Sequence, residues 1–184
     1  MNKKLLIGTA LVGLLALASP AGAGVVDLGS GWEASWDSSL DGLVDIIVTD
    51  TVGDAIFIQK SARFTQGPVN GIFPSIPIIF RQTSAQAASH VVIDDEIINN
   101  ATGSDWTDFH MDLMFSSVAS FNPTETANSG GGGPIGFTIA PFTQAAFNAG
   151  NTRLDIWDGV VADGGSWFPG DGATDGQLWI DVNP

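Results

Sequence analysis

Four Asp residues near the C-terminus are the residues of this sequence best suited to bind a metal ion. Asp158, Asp163, Asp171 and Asp175 are each followed by Gly. A calcium ion takes about six to eight oxygen ligands, and loops rich in Asp and Gly can supply them. The spacing is not that of an EF-hand, and Asp-Gly pairs are also common in turns. We therefore predict either a calcium site formed by these carboxylates or a series of turns that bind no metal.

Three Trp residues of the same region could bind a ligand of a different kind. Trp157 and Trp179 alternate with apolar neighbours, which places them on the polar faces of two predicted strands, and Trp167 lies in the Asp-Gly loop. Sugar rings stack on exposed aromatic side chains in carbohydrate-binding sandwiches. Neighbouring Trp residues would form such a platform beside carboxylates. The alternative is that the three rings cover the sandwich or pack on loops, as large aromatic side chains usually do.

A third group, Asp105, Asp108 and His110, has the residue types of a metal or acid–base site. The same residues also fit a turn and the solvent face of a strand, and we favour that interpretation. The sequence has no Cys, and no Gly-x-Ser-x-Gly motif occurs in it. A glycosidase needs only two carboxylates about 5–9.5 Å apart, so the acidic residues leave a glycoside-active enzyme as a distant alternative. We predict a protein without enzymatic activity and assign no catalytic residue.

Short segments of alternating apolar residues account for most of the chain after residue 23. Helix-forming residues are scarce there, whereas Asp, Asn, Gly, Ser and Thr are abundant and favour turns. This pattern predicts an all-β protein, an antiparallel β-sandwich of jelly-roll type with at most one short helix. The predicted strands are 32–36, 43–49, 55–60, 76–82, 90–98, 109–118, 135–140, 154–156 and 177–182.

Two further segments have distinctive compositions. Residues 141–149 begin with Pro and are followed by Gly150, which predicts the one short helix. Residues 122–134 contain four consecutive Gly residues and predict a long surface loop. A glycine run can also bind phosphate, but the Lys and helix start that accompany it in such sites do not follow here.

The first 23 residues have the three parts of an export signal. Lys3 and Lys4 precede an apolar stretch at 5–17, and Ala21-Gly22-Ala23 fits the rule for signal cleavage. We predict a signal peptide at 1–23 and a single β-sandwich domain at 24–184, in keeping with the length of one domain. The mature protein should be secreted, with no membrane span.

The charge of the mature chain limits its partners. All 20 acidic residues follow residue 23, against four bases, Lys60, Arg63, Arg81 and Arg153, which gives a net charge of −16. Nucleic acids and anionic membrane surfaces bind to basic faces, so neither is expected as a partner. The absence of Cys excludes disulfides and thiolate zinc sites.

A run of residues from Asp94 to Leu113 carries a family resemblance. It contains an acidic strand end, then Asn100-Ala101-Thr102-Gly103, then Trp106 and the sequence Asp-Phe-His before an alternating strand. This stretch resembles exported bacterial proteins of the PEP-CTERM (exosortase-sorted) type. The resemblance implies a secreted β-sandwich of the cell surface or extracellular matrix. The chain ends at Val182-Asn183-Pro184 without the sorting tail of those proteins, which indicates a tail-less relative or a shortened sequence.

Together these observations predict a secreted, acidic, non-enzymatic protein with a structural or adhesive role outside the cell. Its expected partners are extracellular polysaccharide or other matrix proteins. A carbohydrate-binding module is the first alternative function, and a glycoside-active enzyme with paired carboxylates is the second.

Overall fold

A computed structural model of the full chain describes residues 4–12, 24–114, 118–172 and 174–182. A 3-10 turn (Ser38–Leu40) and one short α-helix, α1 (Pro123–Asn128), are the helical segments of this part of the chain. The strands are β1 (Lys4–Val12), β2 (Gly24–Gly29), β3 (Trp32–Trp36), β4 (Val44–Val52), β5 (Ala55–Phe64), β6 (Ile72–Phe73), β7 (Ile78–Gln82), β8 (His90–Asn100), β9 (Trp106–Met114), β10 (Ala119–Phe121), β11 (Gln144–Phe147), β12 (Arg153–Val161), β13 (Ser166–Trp167) and β14 (Leu178–Val182).

The strands form two sheets that share one hydrophobic core. The first sheet has the order β11-β12-β9-β1-β7-β3-β2, with β6 beside β1, and the second has the order β10-β14-β8-β5-β4, with β13 beside β8. Most neighbouring strands are antiparallel, but β5 pairs with β8 in parallel, as β1 does with β6, β7 and β9. The prediction of an all-β sandwich with at most one short helix is confirmed for the described residues.

Period-two alternation decides which side chains enter the core. On β12, Leu154 and Ile156 are fully buried, and on β9 Phe109 and Met111 are buried beside them in the register Ile156↔Phe109 and Leu154↔Met111. The residues between them lie on the opposite face of the sheet. The inward faces predicted for these two segments from the sequence are therefore confirmed.

An aromatic cluster fills the core where the two sheets meet. The ring centre of Phe109 lies 4.8 Å from that of Trp167, 6.0 Å from that of Trp106 and 6.2 Å from that of Phe64. Phe142 packs on the other side of Trp167, at 5.0 Å. Three of these four pairs with Phe109 or Trp167 are edge-on, the arrangement that aromatic quadrupoles favour.

Three local predictions are wrong in whole or in part. The helix expected at 141–149 is absent, because residues 144–147 extend to pair with β12 as strand β11. The helix forms instead at Pro123–Asn128, inside the expected loop, where Asn122 caps it by accepting a hydrogen bond from the Glu125 N–H and Pro123 begins it. Residues 135–140 form turns and irregular backbone rather than a strand, although Phe137 and Ile139 are buried.

The segment predicted as an export signal lies partly in the described structure. Residues 4–12 form β1, which pairs in parallel with β7 and with β9, while residues 13–23, including the predicted cleavage site, lie outside the described residues. Cleavage after Ala23 would remove β1. Because β1 lies between β7 and β9, its loss would leave a gap one strand wide in the first sheet. The cleavage itself stays a prediction. In the part of the chain that the structure describes, no helix has the length and hydropathy needed to cross a membrane.

Candidate functional site

The outer face of β9 and β12 carries a strip of charged side chains. The antiparallel register places Arg153 opposite Asp112, Asp155 opposite His110 and Trp157 opposite Asp108. These residues share one face because each alternates with a buried apolar residue on its own strand. We call Asp108, His110, Asp112, Arg153 and Asp155 the polar strip.

Short contacts between polar side chains hold the polar strip together. His110 Nδ1 lies 2.5 Å from Asp155 Oδ1, and His110 Nε2 lies 3.7 Å from Asp108 Oδ2. Arg153 donates from Nε to Asp155 Oδ1 at 2.6 Å and from Nη1 to Asp112 Oδ1 at 3.4 Å. Asp155 therefore accepts a hydrogen bond from Arg153 and contacts the His110 ring, so its position is fixed from two sides.

The surroundings move the pKa values of the strip in different directions. Burial and the charge of Arg153 lower the pKa of His110, and they outweigh the opposite effects of Asp155 and Asp108. Burial raises the pKa of Asp112 despite Arg153 and His110. Burial also acts to raise the pKa of Asp155, but its hydrogen bond to Arg153 and the charges of Arg153 and His110 lower it overall. Asp155 is therefore a stable carboxylate at neutral pH, beside a His110 that favours its neutral form.

Trp157 extends the polar strip into an aromatic surface. All six Trp residues of the chain lie in described segments, and Trp157 alone has an exposed side chain, at 40%. Its cross-strand neighbours are Asp108 on one side and the exposed Gln144 of β11 on the other. The face thus offers an exposed aromatic ring beside an exposed carboxamide, whereas the Asp108 carboxylate is buried, at 8%.

The structure does not bring the three predicted Trp residues together. Trp167 is 1% exposed, with its Nε1 donating to the Ile139 carbonyl, so its ring faces the core and cannot stack on a ligand. Trp179 is half-buried on β14 in the other sheet, edge-on to Phe57 at 5.8 Å. Sequence alternation placed Trp157 correctly, but no three-ring platform exists.

The four predicted calcium ligands also have separate partners. Asp158 accepts from the Thr143 hydroxyl, and Asp163 accepts from the Gly103 N–H. Asp171 lies in a shallow pocket with the carboxylates of Asp94 and Asp95. The main-chain carbonyl of Asp175 accepts a hydrogen bond from the Thr138 N–H. Among the described residues, no group of three or more His, Cys, Asp or Glu side chains is arranged to hold a metal.

The predicted trio of Asp105, Asp108 and His110 is divided by the structure. Asp108 and His110 belong to the polar strip and are buried there, at 8% and 4%, so the solvent-face interpretation is wrong for these two residues. Asp105 instead accepts from the Asp163 N–H in the adjoining corner. Sequence reasoning missed Arg153 and Asp155 as partners of His110. The sequence shows that these two residues alternate with apolar residues on β12, but it does not show that β12 pairs with β9.

Asn100 organises the corner between β8 and β9. Its buried amide donates to the carbonyls of Ser104 and Val161, and its oxygen accepts from the N–H and the hydroxyl of Thr102. Trp106 Nε1 then donates to the Thr102 hydroxyl. Gly103 has φ +77°, which bears out the predicted turn with a positive φ. This corner fixes where β9 begins and hence the position of its polar face.

No protein-family model, no curated protein and no solved structure matches this chain.

Proposed function

We propose that this protein is a non-enzymatic protein of the extracellular matrix or cell surface that adheres to polysaccharide through the face around Trp157. The observation that carries the proposal is the exposed Trp157 ring between Gln144 and Asp108. Sugar rings present flat apolar faces and a rim of hydroxyl groups. An aromatic ring flanked by fixed polar groups matches both features.

The polar strip favours binding over catalysis. Asp155 is held between Arg153 and His110, so its oxygens serve as fixed acceptors for ligand hydroxyl groups. Ion-paired side chains lose little further conformational entropy when a ligand binds, which supports affinity. A weak, repeated contact of this kind suits a polymer, since each chain can engage many copies of the protein.

The charge of the protein points to neutral polysaccharides. A mature chain with 20 acidic and four basic residues repels anionic polymers over about 8 Å at physiological salt. Neutral glucans, mannans and galactans meet no such repulsion. The extracellular location rests on the basic, apolar and small-residue parts of residues 1–23 and on the family resemblance of the segment from Asp94.

Native affinity electrophoresis tests the proposal. The exported protein should migrate more slowly in gels that contain at least one soluble neutral glucan, mannan or galactan. Trp157→Ala should weaken that retardation at least tenfold in Kd, which corresponds to about 1.4 kcal/mol. Phe168→Ala is the matched control, because Phe168 is also exposed, at 47%, but follows β13 on the other sheet.

Two results would count against the proposal. Retardation that Trp157→Ala leaves unchanged would show that the polysaccharide binds elsewhere. Migration unaffected by every neutral polymer would remove the adhesive role, and self-association measured by light scattering would then be the test of a purely structural one.

A further inference from the structure

Lys60 and Glu96 form an ion pair inside the sandwich. They are direct partners in the parallel pairing of β5 with β8, and Lys60 Nζ lies 2.5 Å from Glu96 Oε1. Their side chains are 1% and 0% exposed. The flanking residues on the same faces, Ile58 and Ala62 on β5 and Ile98 on β8, belong to the hydrophobic core. An amine and a carboxyl group are therefore in contact in a space that excludes water.

The pair is poorly compensated as two charges. Within the described part of the chain, neither Lys60 Nζ nor either oxygen of Glu96 completes a hydrogen bond of good geometry. Buried charges of this kind cost several kcal/mol each unless hydrogen bonds satisfy them. Burial raises the pKa of Glu96, and the charge of Lys60 only partly opposes that effect. Burial thus favours the protonated form of the Glu96 carboxyl group.

We propose that Lys60 and Glu96 condense to an isopeptide bond that joins β5 to β8. In the first step Lys60 Nζ passes a proton to Glu96 Oε1, with which it is in contact. The nitrogen lone pair that this frees attacks Cδ of the protonated carboxyl group and forms a tetrahedral intermediate. One hydroxyl of that intermediate takes a proton from the nitrogen and leaves as water, and the C–N bond remains as an amide. The reaction involves no oxidant, reductant or further reactant, and its one by-product is water.

The location favours the amide over the separated groups. Condensation replaces two buried groups whose charged forms are costly by one neutral amide, which removes most of that desolvation cost. The dry core also keeps water from hydrolysing the product. A covalent link between two neighbouring strands restricts the unfolded chain, as a disulfide does, and this chain has no Cys.

A tryptic map of the exported protein tests the bond. Trypsin cleaves after Lys60 only if its amine is free, and no Lys or Arg lies between Arg81 and Arg153. We expect the peptide that ends at Arg63 to appear joined to peptide 82–153, lighter than their sum by one water molecule. Fragmentation should place the link between Lys60 and Glu96. The map is required because Asp-Gly sequences can also lose water, so the intact mass alone is ambiguous.

A second measurement is independent of any variant. Lys60 is the only Lys after residue 23, so reductive methylation of the urea-denatured mature protein should modify the α-amine alone. The control for the tryptic map is Lys60→Arg, which cannot form the bond. This variant should be cleaved after position 60 and after Arg63, and its peptide 82–153 should appear unlinked and without loss of water. Cleavage after Lys60 in the wild-type protein, or methylation of its amine, would overturn the proposal.

Discussion

Phe109 gives the most direct test of how the core positions the polar strip. Its ring is fully buried and contacts Phe64, Trp106 and Trp167. Truncation to Ala removes the ring and leaves a cavity, so Phe109→Ala should cost about 3–5 kcal/mol in the free energy of unfolding. The free energy of unfolding of a domain is usually only about 5–15 kcal/mol, so the variant should be folded but much less stable than the wild type.

Urea unfolding followed by Trp fluorescence measures this cost. With a slope of about 2 kcal/mol/M in urea, the middle of the usual range, the loss corresponds to a fall of about 1.5–2.5 M in the unfolding midpoint. Phe168→Ala is the control, because its exposed ring should contribute within about 0.5 kcal/mol. A midpoint for Phe109→Ala equal to that of the control would refute the assignment of this face of β9 to the core.

Four further outcomes are expected. Leu113→Ala should cost about 2–5 kcal/mol in urea unfolding because Leu113 is buried on the same face as Phe109, and an unchanged midpoint would contradict this. Asn100→Asp should cost about 1–3 kcal/mol, since it removes the donor to two carbonyls; a loss no larger than that of a surface variant would contradict the corner network. The lowered pKa of His110 means that the unfolded chain takes up a proton below about pH 6.5 before the folded protein does, so this contribution to stability is present at pH 8 and lost towards pH 5. His110→Gln should therefore show a smaller loss of stability between these pH values than the wild type, and equal losses would refute the shift. N-terminal sequencing of the exported protein should begin at Gly24, and full-length chain in the membrane fraction would contradict it.

Calcium binding by the late loop stays a proposal from the sequence and has a simple test. If calcium binds there, the melting temperature should be higher in calcium than in sodium at equal ionic strength. The gain should shrink when Asp163 and Asp171 are changed to Asn, since Asn keeps an oxygen ligand but loses the charge. Equal melting curves in the two salts would leave the loop as a series of turns.

The sequence by itself determined the fold class and the faces of the strands. Alternation along a strand is a local property, because successive side chains point to opposite sides of the pleat whatever the neighbouring strand is. It therefore placed Phe109 and Met111 inward, and placed Trp157 beside Asp155 on the polar face of β12. It placed His110 on the face opposite Phe109, but alternation could not show that this face buries His110 as well. The turn at Gly103 was equally local, since Gly adopts a positive φ without steric cost.

Local signals failed where a tertiary partner decided the outcome. Residues 141–149 have the ends of a helix, but pairing with β12 extends residues 144–147 into β11. Trp167 follows an Asp-Gly loop that reads as exposed, yet the strand pairing of β13 with β8 turns its ring onto Phe109. In both cases contacts with residues distant in sequence outweighed the local preference.

Only the tertiary structure could assemble the two polar groups of interest. His110 and Asp155 are separated by 45 positions in sequence, and nothing in that separation predicts a contact. The register of β9 against β12 makes them neighbours. Lys60 and Glu96 stand at apolar positions of two strands, and their pairing depends on the parallel register of β5 and β8. The period of a strand specifies which side chains share a face, but it carries no information about which strand lies beside it, because that choice is made by long-range packing.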